Sequence, residues 1–160
     1  MEIKWSTFKP PVWDDVMDAF PAARNKRGLL FAYGDTIYNP HLVNVSPSLE
    51  AHETIHIWQQ INVHPREWWD TYIRSDKFRW ECEQFAHLAE WVVESRQGNR
   101  HDRRASLHMV AAKLSADLYN WTPPVSQGRA ARTLRTLRAR VEQANEEMEH
   151  GAATEVGLRA

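Results

Sequence analysis

Prolines that follow capping residues mark where helices of this chain begin. Proline fits the first turn of a helix but breaks its interior, and serine is a preferred N-cap residue. Ser46-Pro47 therefore predicts a helix from about 47 to 63, and Pro65 begins a second, short helix. These signals indicate a mainly helical chain.

Helical patterns continue after this pair. Ser75 or Asp76 can cap a helix from about 77 to 96. Asp102 can cap the next helix, whose apolar residues repeat at helical spacing until Trp121, just before two consecutive prolines. The prolines predict a loop there.

Beyond that loop the apolar residues alternate in steps of four and three, which is the heptad pattern of a helix that packs along a seam. We therefore divide the chain into a domain over 1–124, an amphipathic helix over 125–150 and a flexible tail over 151–160. The seam is expected to form a homodimer or to bind a partner, and it comprises Ala130, Leu134, Leu137, Val141, Ala144 and Met148.

The segment before the first long helix has a different pattern. Aromatic and β-branched residues flank Gly34-Asp35, a pair suited to a tight turn, and this predicts a β-hairpin over about 29 to 38. Together with the helices, the hairpin predicts an α+β fold that is mostly α.

Composition narrows the class of protein. The chain has 160 residues, 42% of them hydrophobic, which suits one domain with its own core. A net charge of −1 gives no general attraction to nucleic acid or anionic membranes. Cys82 is the single cysteine, so an internal disulfide is excluded, and no membrane span or signal peptide is evident. A cytoplasmic protein without membrane contact is expected.

The motif with the clearest chemistry is His52-Glu53-Thr54-Ile55-His56. Residues four apart lie on the same face of a helix, so His52 and His56 can bind one metal ion. Glu53 remains available as a general base toward a water molecule that the ion activates. The motif predicts a zinc site.

A hydrolytic zinc site commonly has a third protein ligand. With Phe78 set to zero and 100° per residue, Glu81 falls at about 300°, inside the apolar arc of its helix, whereas Glu83 falls outside it. A carboxylate that faces the core needs a compensating cation, so Glu81 is the predicted ligand. His87 points away from the arc and is interpreted as a surface residue. Cys82 is interpreted as an apolar filler.

The motif from His52 to His56 and the later segment from Arg79 to Ala86 together resemble those of gluzincin metallopeptidases. The compact layout resembles the short zincin-like proteins of bacterial and phage genomes. The resemblance covers about residues 29 to 95. It implies a glutamate ligand at Glu81 and a sheet edge that holds an extended substrate. Gln84 and Phe85 stand where those relatives carry alanine-aspartate, so the hydrogen bond that orients a ligand histidine would come from another group, such as Gln59 or Gln60.

The sequence thus predicts a zinc metallopeptidase that acts on a peptide or protein, with Glu53 as catalytic base. Three tyrosines are candidates to stabilise the oxyanion, namely Tyr33, Tyr38 and Tyr72. A second hypothesis is a non-catalytic, zinc-stabilised binding protein. A third is nucleic-acid binding through residues 100–140, which hold nine basic and two acidic residues. Their arginines wind around the last helix, so a solvated helix is favoured over a nucleic-acid surface.

Overall fold

The computed structural model describes residues 2–96 and 98–157, and over 148–157 it describes the backbone only. Within these residues six α-helices accompany a small three-stranded sheet. The predicted mostly helical α+β fold is therefore confirmed. In the described part of the chain, no helix combines the length and the apolar character that crossing a membrane requires.

The sheet forms from the N-terminal quarter of the chain. Its strands are β1 (Lys4–Ser6), β2 (Phe31–Tyr33) and β3 (Thr36–Tyr38). β3 lies in the centre, parallel to β1 and antiparallel to β2, so the predicted hairpin is present. Gly34 has a φ of 61°, the positive value that tight hairpin turns require. β1 has no counterpart among the predicted elements.

Helix α1 (Trp13–Ala19) precedes a 3-10 helix (Pro21–Asn25) and then the hairpin. Helix α2 (Pro47–Gln59) begins where Ser46-Pro47 predicts it, since the Ser46 side chain accepts a hydrogen bond from the Leu49 amide. It ends four residues before its predicted end. Helix α3 (Pro65–Arg74) follows at once.

Helix α4 (Asp76–Glu94) is capped by Ser75, whose side chain accepts from the Phe78 amide. Helix α5 (Arg100–Leu114) is capped by Asn99 rather than by Asp102. Asp102 instead supplies the second half of a capping box, because its carboxylate accepts the Asn99 amide. A second 3-10 helix (Asp117–Tyr119) leads toward α6 (Gln127–Gly157).

Over the residues of helix α6 whose side chains are described, up to 147, the buried ones lie in its first half. Ala130 and Leu134 are fully buried against α4 and α5, whereas Val141 is 40% exposed. The first part of the predicted seam is thus used within the chain. α6 continues to Gly157, past the predicted end at 150, and residues 158–160 lie outside the described residues.

Helices α2 and α4 form the central pair, and they run antiparallel. Ser48 near the start of α2 donates to the Glu94 carboxylate at the end of α4, with an O–O distance of 2.5 Å. At the other end, Gln59 of α2 donates to the Cys82 carbonyl of α4 at 3.1 Å. Apolar clusters lie around this pair, one with α1 and α3, one with the sheet and one with α5 and α6. Between the two helices the packing is polar.

Candidate metal centre

Helix α2 places both histidines of the motif in the interior. His52 is 7% exposed and His56 is 6% exposed. As the four-residue spacing predicts, they face the same side, and their Nε2 atoms lie 3.2 Å apart. Two ring nitrogens that face each other at this distance repel unless a proton or a cation lies between them.

Helix α4 contributes three buried polar side chains on the side that faces α2, namely Glu83, His87 and Glu90. Their spacing of four and three residues places them on one face of α4, and each is at most 2% exposed. Glu83 lies closest to the histidines of α2: its Oε1 is 3.2 Å from His56 Nε2, and its Oε2 is 3.6 Å from His52 Nε2.

These distances match those around a small metal ion. A tetrahedral ion with bonds of about 2.1 Å separates its ligand atoms by about 3.4 Å. The nearest pairs among His52, His56 and Glu83 span 3.2 to 3.6 Å, and His56 and His52 are nearest to different oxygens of the Glu83 carboxylate. The three side chains therefore lie close enough together to surround one small ion.

His87 also lies next to Glu83 and His52. Its Nε2 is 3.6 Å from Glu83 Oε2, and its ring centre is 4.5 Å from that of His52. Ligand atoms of His52, Glu83 and His87 all lie within 4.8 Å of one another. This buried His–Glu–His cluster could hold a metal ion, and His56 offers a further imidazole beside it.

Two atoms of the cluster lack the partners that burial normally requires. Among the residues that the structure describes, His52 Nδ1 and Glu83 Oε2 are buried without a hydrogen bond, as is Trp68 Nε1 elsewhere. The nearest acid to His52 Nδ1 is Glu90 at 3.6 Å, which is too long for a hydrogen bond. A buried carboxylate oxygen without a donor is costly, and a bound cation would compensate Glu83.

Gln59 determines which nitrogen of His56 faces the cluster with a lone pair. The Gln59 amide nitrogen donates to the Cys82 carbonyl, so its Oε1 must be the atom that lies 2.9 Å from His56 Nδ1. Since that oxygen only accepts, Nδ1 carries the proton. The lone pair of neutral His56 then lies on Nε2, toward Glu83. Gln59 thus contacts a histidine of the motif, as expected if it replaces the aspartate that the resembling proteins carry.

The charges within the cluster are strongly coupled. Burial and the neighbouring His87 lower the pKa of His52 to about 4. Burial also acts to lower the pKa of His56, but the Glu83 carboxylate outweighs it and raises that pKa to about 9. Burial alone would raise the pKa of Glu83, yet His56, His52 and His87 hold it well below its usual range. Glu83 is thus a carboxylate that requires positive charge around it.

Glu53 is also buried, at 5% exposed. Burial raises its pKa to about 7, against the opposing effect of His56 and with the support of Glu83 and Glu90. A carboxyl group with a pKa near neutrality can both accept and return a proton. The predicted role of Glu53 as general base requires this property, and the role itself stays a prediction.

The structure corrects the predicted third ligand. The Glu81 side chain is 54% exposed and lies 4.0 Å from exposed Lys77 on the same helix. Glu83, two residues later, lies about 200° away around α4 and faces α2 instead. The interpretation of His87 as a surface residue is also wrong, since it is 2% exposed. Both errors have one cause. The face of α4 that packs against α2 is polar, so the apolar arc of α4 does not include this buried face.

Two buried tyrosines contact the α4 side chains of the cluster. The Tyr72 hydroxyl donates to Glu83 Oε1 at 2.5 Å, and the Tyr119 hydroxyl lies 2.9 Å from His87 Nε2. Buried Arg79 links the backbone at the two tyrosines, since it donates to the Tyr72 carbonyl at 2.7 Å and to the Tyr119 carbonyl at 3.2 Å. Tyr119 was not predicted, because it follows the site by many residues and belongs to no motif.

Of the three tyrosines predicted as oxyanion donors, only Tyr72 lines the cavity beside the cluster. Tyr33 and Tyr38 lie on the hairpin and pack against the aromatic core. The Tyr72 hydroxyl donates its proton in a hydrogen bond to Glu83. It therefore supports a ligand carboxylate rather than pointing freely at a substrate.

A cavity of about 340 Å³ adjoins the cluster. Its inner end is lined by His52, Glu53, His56, Glu83, His87 and Glu90, and its walls are mostly apolar. Ligand sites are commonly concave and apolar with a few convergent polar groups. An ion in the cluster would face this space, which leaves room for a water molecule or a substrate atom.

Comparison with known proteins adds no relative: no family model matches the chain, and no curated protein or solved structure matches it either.

Proposed function

We propose that the chain is a zinc-dependent hydrolase of the gluzincin type that cleaves peptide bonds, with His52, His56 and Glu83 as zinc ligands. The close approach of the two imidazoles to each other and to the two Glu83 oxygens, at 3.2 to 3.6 Å, carries this proposal. Two imidazoles and one carboxylate form a common catalytic zinc ligand set, in which a fourth position stays open. The adjoining cavity supplies that position.

When bound, zinc supplies a Lewis acid that polarises a carbonyl and lowers the pKa of a water molecule to about 7. The chain supplies the rest. Glu53 accepts a proton from the attacking water and returns it to the leaving nitrogen as the C–N bond breaks. One water is consumed, and the products are a carboxylic acid and an amine.

The substrate path differs from the edge-strand arrangement that the resemblance implies. At the centre of β2 the Ala32 carbonyl already accepts from Gln60 Nε2 at 3.1 Å and from Trp69 Nε1 at 2.9 Å. An extended peptide would compete with both side chains there. The substrate is therefore expected to reach the centre through the cavity.

Metal content of variants tests the ligands. Protein purified without a histidine tag should contain one zinc per chain by mass spectrometry. Glu83→Gln should lose that zinc, whereas Glu81→Gln is a matched control on the same helix and should keep it. His56→Ala should lose more zinc than His87→Ala. The opposite order would make His87, rather than His56, the second imidazole ligand.

The catalytic part of the proposal needs a separate test. Glu53→Gln should retain zinc but no longer cleave a random library of quenched fluorescent peptides. A wild-type chain that binds zinc yet cleaves none of the library supports the second candidate, a non-catalytic zinc-stabilised binding protein. The deep burial of every donor in the cluster is the observation that favours this candidate.

A further inference from the structure

A buried polar cluster, apolar side chains and two exposed cations line the cavity. Its inner end holds the proposed zinc ligands, and aromatic and aliphatic side chains such as Phe20, Leu30 and Trp69 form its walls. Two cationic residues, Lys26 and Arg27, also line it, on the loop between the first 3-10 helix and β2. Both are exposed, so they lie at the solvent side of the cavity.

These two cations have no acidic partner in the described part of the chain. The other cations near the site are already engaged: Lys113 pairs with Glu90, and Arg24 pairs with Asp18. Lys26 and Arg27 form no such pair. Outside the buried cluster and Lys113 they are the charged residues that line the cavity.

The loop that carries them has a defined backbone. The Lys26 amide donates to the Ala23 carbonyl at 3.1 Å, and Gly28 has a φ of 103°, which a residue with a side chain rarely adopts. Buried Leu30 then fixes the far end of the loop. The backbone that carries the two cations is therefore fixed beside the cavity.

The charges on the two ends differ. With zinc bound, the three carboxylates at the inner end are balanced by the two charges of the ion and by Lys113. The outer end keeps the two positive charges of Lys26 and Arg27. A ligand that spans the cavity consequently gains from a negative charge on its outer part and loses from a positive one.

We propose that Lys26 and Arg27 select peptides that carry an acidic group next to an apolar stretch, the apolar part occupying the cavity. This inference rests on the proposed function for the nature of the substrate. It names a specificity determinant that lies outside the motif and the metal ligands.

Three dansylated peptides test the proposal. They share an alanine-leucine-leucine core and end in glutamate amide, glutamine amide or lysine amide. Binding is measured by fluorescence anisotropy with the full chain, both as zinc-loaded Glu53→Gln, which does not cleave, and after chelation. The glutamate peptide should bind roughly tenfold more tightly than the lysine peptide, and salt above about 0.3 M should reduce this preference.

The variant Lys26→Ala/Arg27→Ala should bring the ratio of affinities close to one. The control Lys77→Ala/Arg104→Ala removes two exposed cations that do not line the cavity and should keep the preference. All four side chains are exposed, so folding is expected to be unaffected, and circular dichroism checks it. Lys26→Glu should favour the lysine peptide relative to wild type.

Equal affinity for the three peptides, or a preference that survives Lys26→Ala/Arg27→Ala, overturns the inference. If such a chain still binds zinc and cleaves peptides, the proposed function stands. A chain that lacks zinc but shows the charge preference after chelation leaves the inference standing and overturns the proposed function. The two failures are thus distinguishable.

Discussion

If zinc binds as proposed, its removal should destabilise the chain through Glu83. An ion that binds only the folded state stabilises it by RT ln(1 + [L]/Kd), which is about 4 kcal/mol when zinc is present at a thousand times its Kd. For a domain of this size, 1 kcal/mol shifts the melting temperature by about 2 to 4 °C. Zinc should therefore raise the melting temperature of the chelated protein by about 8 to 16 °C.

Glu83→Gln should abolish this zinc-dependent shift. The substitution keeps the shape of the side chain but removes the charge that lies 3.2 Å from His56 Nε2. Glu81→Gln should show the full shift, because Glu81 is exposed and does not reach the histidines. Differential scanning fluorimetry with excess chelator or excess zinc measures both variants.

If Glu83→Gln retains the shift while Glu81→Gln loses it, the assignment of Glu83 as the carboxylate ligand is refuted. A shift retained by both variants would mean that zinc binds elsewhere. Melting temperatures under chelation serve as the control, since they report what each substitution does without the ion.

Gln59→Leu should weaken zinc binding roughly 10- to 100-fold in competition with a chelating dye, because Gln59 sets the tautomer and orientation of His56. Arg79→Met should lower the free energy of unfolding in urea by about 3 to 5 kcal/mol, since it leaves Asp76 and buried backbone carbonyls without their donor. Leu134→Ala should cost about 2 to 5 kcal/mol in the same assay, because Leu134 is fully buried. Val141→Ala, farther along the same helix, should change stability by less than about 0.5 kcal/mol in a monomer; a large loss that depends on protein concentration would show that the outer seam forms a dimer.

Local signals predicted the elements that carry the motif. Ser46-Pro47 marked the start of α2, and the four-residue spacing of His52 and His56 placed their rings on one face. These predictions depend on capping and on helical geometry, which involve residues close together in the chain. The end of α2 was less well predicted: Gln60 is the C-cap residue, and its side chain donates to the Ala32 carbonyl of the sheet and to the His56 carbonyl.

The face of α4 could not be predicted in the same way. Periodicity assigns apolar residues to the interior, and it therefore assigned Glu81 to the core-facing arc and His87 to solvent. In the structure α4 is covered both by apolar clusters and by the polar face of α2, so Glu83 and His87 are buried. Pairing between buried polar groups on two helices has no single-helix signature.

The helical class of the chain, the start of α2 and the paired histidines with their neighbouring glutamate could be predicted from the amino-acid sequence, because each depends on neighbours within about one turn. The contact of Glu83 with those histidines, and the support of the cluster by Tyr119 and Arg79, could not be predicted in this way. These contacts join residues far apart in the chain, and the antiparallel packing of α2 on α4 determines which turn of one helix faces which turn of the other.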